Sequence, residues 1–340
     1  MIDDLFVNKI LEKFREVGVS DAQSYRLGET SFEVSYHGFQ RQDNFTKAIS
    51  HLVSENLNNE FRIYVSDLVN GGLRLPKPQW EWNDLDQNGF IPTTNNKRYL
   101  ARFMSWQNCF YLIDFKQKRA FFWVKNYLEM PEWERSFPFR DIFHCFFNSF
   151  DDFVVVHAAA VGNSSGGILM PGKGGSGKST AALSCLNSEL FYAGDDLVLV
   201  DFKRQIIYSL YNVAKLEVNQ IALFPALLPL IYNADVLPQE KAQVFVNDFY
   251  PDKIICKMPF LGIVLPKYKG SENTTYKESN SAKALLALAP SSIGLLKTDV
   301  SYLNKIARML KGKKVFDLET GSKLNQISES IENIIGLLND

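Results

Sequence analysis

The sequence has little cysteine, little histidine and almost no imbalance of charge. Its four cysteines, Cys109, Cys145, Cys185 and Cys256, are scattered and form no C-x-x-C pair. That excludes a zinc ribbon and suits buried thiols in a reducing compartment, where disulfides are rare. With 37 basic and 38 acidic side chains the net charge is −1. No global field then draws the chain to nucleic acid or to an acidic membrane, and neither is expected as a partner. No stretch reaches the ~18 uninterrupted apolar residues that cross a bilayer. The longest apolar run, 221–231, carries Pro225 and Pro229 and is expected to be packed core. The start lacks the basic residues and apolar run of a signal peptide, so a cytoplasmic protein is expected. Internal repeats and low-complexity segments are also missing.

What is present is an ordinary globular composition, 46% hydrophobic over 340 residues, long enough for two domains. Residues 6–17 place Phe6, Ile10, Phe14 and Val17 at helical spacing. Residues 31–36 and 61–65 alternate like half-buried strands, and 109–115 and 120–125 read as a hairpin. Turn-formers dominate 70–92, an irregular excursion. The stretch 1–135 is thus expected to be a mixed, mainly β domain without assignable chemistry.

From 136 onward an α/β core is expected. An aromatic helix spans 140–150. A β-branched strand at 153–156 continues through His157 to Val161, and a turn at 162–167 leads into a second strand at 168–171. A glycine-rich loop follows, then a helix over 179–190 and short strands at 191–193, 197–200 and 205–209. A strand at 262–265 and helices at 281–288, 300–310 and 324–338 complete the chain.

The loop Gly172-Lys-Gly-Gly-Ser-Gly-Lys178-Ser179 matches G-x-x-x-x-G-K-[ST] at every specified position. Glycines let the backbone turn so that several N–H groups point inward as an anion nest, and the next helix adds its positive end. Gly172, Gly174, Gly175, Ser176, Gly177, Lys178, Ser179 and Thr180 are the candidate nucleotide-binding residues. Lys178 suits the β- and γ-phosphates, and Ser179 suits Mg²⁺. The same glycines also satisfy G-x-G-x-x-G, with Asp195 near the distance of a ribose-binding acid, so a dinucleotide site competes. Lys178-Ser179 has no task in such a site, which favours the phosphate loop.

Asp195-Asp196 follows the loop's helix at a strand edge. One acid can hold Mg²⁺ and the other can take the proton of an attacking hydroxyl. Neighbouring side chains of a strand point oppositely, so both reach one site only if Gly194 breaks the geometry. His157 lies in the strand preceding the loop, where it can tune a carboxylate. Asp201 reads as a strand-end cap, and His37, His51 and His144 as structural or surface residues. No arginine directly follows Asp196. Arg204 and Arg308 are the basic candidates for steadying a transition state.

The order His157, phosphate loop, Asp195-Asp196 resembles the HPr kinase/phosphorylase family, whose fold is similar to the nucleotide-binding part of ATP-dependent phosphoenolpyruvate carboxykinase. The resemblance covers about 150–215. It implies ATP and Mg²⁺ as cofactors, one of Asp195 and Asp196 as general base with His157 supporting it, Asp195 being favoured, and Ser179 with Asp196 at the metal. Thr180 stands where that family has an acidic residue, and its Arg-Gly-Leu-Gly loop has no counterpart here. These departures count against a reverse phosphorylase reaction, a ring-shaped hexamer and HPr itself as substrate. The His-Ala-Ala-Ala entry and Tyr211-Asn-Val-Ala-Lys215 look more like the HPr-kinase-related proteins, some of which phosphorylate a serine of a precursor peptide. That likeness brings Lys215, and more weakly Lys241, towards phosphate or substrate. The expected function is a kinase of Ser or Thr in a peptide or small protein. A kinase of a small hydroxylated molecule and a non-catalytic nucleotide-binding regulator are the alternatives. Oligomeric state stays open, because 26 Phe serve equally as core or interface.

Overall fold

The computed structural model describes residues 1–40, 46–55, 58–295 and 300–340. They form two compact units, Met1–Thr46 with Leu52–Ile142, and Lys47–His51 with Phe143–Asp340. The division thus falls inside the helix Arg140–Asn148, not between 135 and 136 as the sequence suggested.

In the first unit a helix, Asp4–Val17, starts where the Asp3 carboxylate accepts the Phe6 N–H at 2.8 Å. It ends at Gly18, whose φ of +78° an L side chain would strain to adopt. Its apolar face buries Phe6, Ile10 and Phe14 against Phe110, Leu112 and Phe121 of a seven-stranded sheet. The strands are β1 (Val19–Leu27), β2 (Thr30–His37), β3 (Phe61–Asp67), β4 (Phe90–Ile91), β5 (Tyr99–Met104), β6 (Cys109–Asp114) and β7 (Arg119–Val124), in the order β1-β2-β3-β7-β6-β5-β4. Pairing is parallel from β2 through β3 to β7 and antiparallel elsewhere. The expected strands and hairpin appear. The polar edge strand β1 was not anticipated.

The second unit holds a nine-stranded mixed sheet made of β8 (Phe153–Val156), β9 (Ala158–Asn163), β10 (Gly166–Pro171), β11 (Phe191–Gly194), β12 (Val198–Asp201), β13 (Ile206–Ser209), β16 (Lys257–Tyr268), β17 (Thr275–Glu278) and β18 (Lys314–Thr320). A separate two-stranded ribbon pairs β14 (Val213–Leu216) with β15 (Ala242–Phe245). The twelve-residue β16 ties two halves of the sheet together. Its first residues pair with β13, while the rest pair in parallel with β10 and β18. Side-chain alternation gives each face its own core. Ala159, Val161, Ile168 and Met170 pack towards the helices Lys178–Ser184 and Leu324–Asn339. Ala158, Ala160 and Leu169 pack towards Ser281–Leu295 and Val300–Leu310. This is an α/β fold around a mixed sheet.

Three local expectations are corrected. The run 153–161 is two strands: β8 pairs with β12, whereas β9 pairs with β10 and β11, so the chain changes sheet halves at His157. The helix expected over 179–190 ends at Ser184 and tightens into a 3-10 turn, Cys185–Asn187, with the Ser184 hydroxyl donating back to Ala181 O. The apolar run 221–231 is two 3-10 turns that bury Ile221, Phe224 and Leu227 but expose Leu223 and Leu228, since its prolines cannot continue the hydrogen bonding. Among the described residues no helix is long and apolar enough to cross a membrane.

Candidate active site

The phosphate loop links β10 to the helix Lys178–Ser184. Gly172, Gly175 and Gly177 take positive φ, and a Cβ on Gly172 would come within 2.5 Å of Ser176 Oγ. Only glycine lets the backbone fold inward this tightly. Lys178 Nζ turns back to donate to Gly172 O and is 6% exposed as a residue. Burial lowers its pKa, and the nearby charges of Asp195 and Asp196 oppose that shift.

The carboxylates arrive from β11. Tyr192 faces Val161 and Gly194 faces Ala160, so Ala193 is an extra residue, a β-bulge. The chain then crosses to β12 through Asp195, Asp196 and Leu197. Freed from strand alternation, both acids turn towards Lys215. Asp195 Oδ2 accepts the Lys215 N–H at 3.0 Å, and Asp196 Oδ2 lies 3.8 Å from Lys215 Nζ. His157, at the other crossing between the sheet halves, puts Nε2 3.1 Å from Asp196 Oδ1. A carboxylate only accepts, so Nε2 carries the hydrogen.

The two acids differ in setting. Asp195 is 1% exposed, and burial followed by the neighbouring Asp196 raises its pKa to about 6; the Lys215 N–H, Lys178 and the Ser179 hydroxyl pull the other way. Burial also works against the Asp196 charge, yet the His157 hydrogen bond and the charge of Lys215 hold it below the ordinary carboxylate range. Asp196 is 27% exposed at its side chain and lines a cleft of ≈ 200 Å³ with His157, Lys178, Ser179 and Lys215.

Comparison with known proteins adds little to this geometry. No family model and no curated protein matches the chain. Among solved structures, it is similar to the Hpr(Ser) kinase/phosphatase from Coxiella burnetii. Identity is 12%, the TM-score is 0.31, and 55% of this chain and 99% of that one are covered.

Other expected residues also have a place. Gly174, Gly175, Ser176, Gly177 and Thr180 line the cleft, as does Lys241, whose Nζ is 2.7 Å from Glu217 Oε1. Arg204 instead pairs with Asp201, and Arg308 lies 3.6 Å from Asp152. Neither lines the cleft. Asp201 does cap its turn, accepting from the Lys203 and Arg204 N–H groups. His37, His51 and His144 are buried or part-buried among structural partners. The sequence reading missed Glu217 and Gln220. The first carried a signal, standing two residues beyond Lys215 and so on the same side of an extended chain. The geometry of a dinucleotide site is not formed, because β11 is not the direct neighbour of β10: β9 lies between them, antiparallel to both.

Among the described residues no group of three or more His, Cys, Asp or Glu could hold a metal. Mg²⁺ does not require one, since it takes one or two carboxylates and completes its shell with phosphate oxygens and water. Around the loop and the acids, three buried atoms lack a hydrogen-bond partner: Asp195 Oδ1, Ser176 Oγ and His157 Nδ1. An orphaned carboxylate oxygen acting beside Ser179 fits a hard cation.

Proposed function

We propose that the chain binds a nucleoside triphosphate, ATP by the resemblance above, with Mg²⁺, and transfers its γ-phosphoryl group to a hydroxyl, that of a Ser or Thr in a peptide or small protein. The observation that carries this reading is the convergence on one cleft of the phosphate loop, Asp196 and three lysines, Lys178, Lys215 and Lys241, with Asp195 buried against the Lys215 backbone. Phosphoryl transfer asks for positioning and neutralisation of charge more than for covalent help.

The loop N–H groups and Lys178 hold the phosphates, releasing the bond from Nζ to Gly172 O. Ser179 and the orphaned Asp195 Oδ1 are the protein ligands offered to Mg²⁺. When bound, the ion supplies charge neutralisation on the phosphate oxygens. Asp196 faces the cleft and accepts the hydroxyl proton as the oxygen–phosphorus bond forms and the β–γ bridge breaks, leaving the diphosphate. Here geometry takes precedence over intrinsic basicity, so the two acids exchange the roles suggested by the resemblance. His157 fixes the Asp196 carboxylate. Lys215, with Nζ in the cleft, takes the place that the distant Arg204 and Arg308 do not fill.

The test is single-turnover transfer of γ-labelled phosphate from Mg-ATP to serine-containing peptides, with wild type and Asp196→Asn. Wild type should label a peptide, while the variant binds a fluorescent nucleotide normally and transfers at least about 100-fold more slowly. If the nucleotide binds and label reaches no acceptor, the chain is a nucleotide-binding regulator and the kinase reading is wrong.

A further inference from the structure

The phosphate loop has two sides. Its last residues, including Lys178, Ser179 and Thr180, line the Asp196 cleft. Pro171, Gly172 and Lys173, at its start, line an adjoining groove of ≈ 670 Å³, and Gly175 and Ser176 line both. The groove has an apolar floor that includes Leu265, Pro266 and Leu318. Around it stand Lys173, Lys267, Lys269, Lys277 and Lys283, answered only by Asp317 and Glu319. Five cations against two anions leave a surplus of three, in a chain whose net charge is −1.

Two of the lysines are engaged. Lys283 Nζ is 2.7 Å from Asp317 Oδ2, and Lys269 Nζ is 3.7 Å from Glu319 Oε1. Lys277 adds its field to the already paired Asp317. Among the described residues Lys173 and Lys267 have no ion-pair partner. The sheet gathers the cations, because Lys267 sits opposite Glu319 and Lys277 opposite Asp317 on the two flanks of β18. An anion entering the groove therefore meets unspent positive charge beside the loop.

A free phosphate would leave the apolar floor unused. An extended peptide would not. Leu286, 72% exposed, and Tyr268 also line the groove and offer contact to side chains. Strand β17 is paired on one edge only among the described strands, so a peptide can add to its other edge. We propose that this groove docks an acidic, extended segment of the peptide or protein that bears the accepting hydroxyl. The inference rests on the kinase reading.

The probe is a short fluorescein-labelled peptide with one Ser among Asp and Glu residues, beside a counterpart with Asn and Gln in their place. Binding is followed by anisotropy at low and at physiological salt, for wild type and for Lys267→Glu with Lys277→Glu. The acidic peptide should bind wild type more tightly than its amide counterpart and lose affinity with salt. The double variant should weaken it by about tenfold or more, with affinity for a fluorescent ATP analogue unchanged. Lys267→Ala with Lys277→Ala should weaken it less, in the same direction. Equal binding of the two peptides, or equal binding by both proteins, overturns the proposal. So does a loss of nucleotide affinity in the double variant, which would give the groove to the nucleotide, or tighter binding of a single-stranded oligonucleotide of equal charge. If wild type binds the acidic peptide but no nucleotide, the kinase reading falls and the docking groove stands.

Discussion

Buried carboxylates are treated differently in the first unit and at the cleft of the second. In the first, Asp114 is met by Arg98 and Arg119, and Asp67 accepts from the N–H groups of Asn70 and Tyr127. Those charges are matched where the hairpin β6–β7 and the end of β3 hold them. In the second unit Asp195 keeps Oδ1 without a partner, beside Asp196 and under Lys178. The difference follows from how the chain turns. Strands β5, β6 and β7 succeed one another as sheet neighbours. From β8 to β9 and from β11 to β12, by contrast, the chain steps between halves of a sheet, and His157 and Asp195-Asp196 sit at these steps. A crossing releases side chains from strand alternation, so unlike groups can converge at one point. Incomplete satisfaction there leaves room for a ligand's charge.

The sharpest break of this contrast is Lys178→Ala. It should lower nucleotide-dependent transfer by about 100-fold or more, read in the single-turnover assay. Unchanged turnover would remove the loop from the mechanism. Next come the two acids, which should move stability in opposite directions at neutral pH. The Asp195 pKa is raised to about 6, so between about pH 4 and pH 6 the folded state holds a proton the unfolded state has lost, and stability falls as pH rises across that window. Asp195→Asn should then raise the urea midpoint at pH 7 relative to wild type, with the advantage fading towards pH 4. The Asp196 pKa is lowered, so its contribution is present above the ordinary carboxylate range and is lost as pH falls through its folded value. Asp196→Asn should lower the midpoint at pH 7. Shifts of the same sign would show that the pair does not divide its roles. Smallest is His157→Gln, which keeps a donor but changes its reach to Asp196. A decrease in kcat of about tenfold with KM for ATP unchanged is expected, and a matching rise in KM would make His157 a binding residue instead.

Much of this was legible from residues alone. Glycine spacing in the loop, the Lys178-Ser179 pair and the adjacent acids mark the candidate site, because phosphate and metal chemistry needs particular side chains at particular separations. Periodicity also placed the helix Asp4–Val17 and the strands β2, β3, β6 and β7. Less legible were β1, whose exposed edge carries polar residues, and β18, whose Lys314–Thr320 sequence mixes charge with apolar positions. The break at His157 gave no local sign, since valine and alanine continue on both sides. Arg204 and Arg308 looked as available as Lys215, and only packing separated them.

The chain's own order of residues was enough to determine that a glycine-rich loop of the G-x-x-x-x-G-K-[ST] pattern leads into a helix and that two acids follow it, because backbone turns and residue spacing are local. Tertiary structure alone decided that His157 meets Asp196 and not Asp195, that Lys215 reaches the cleft, and that five lysines from β16, the residue after it, β17, a helix and the loop share one groove. Those meetings depend on sheet register and on where the chain crosses between halves of the sheet, which long-range pairing sets.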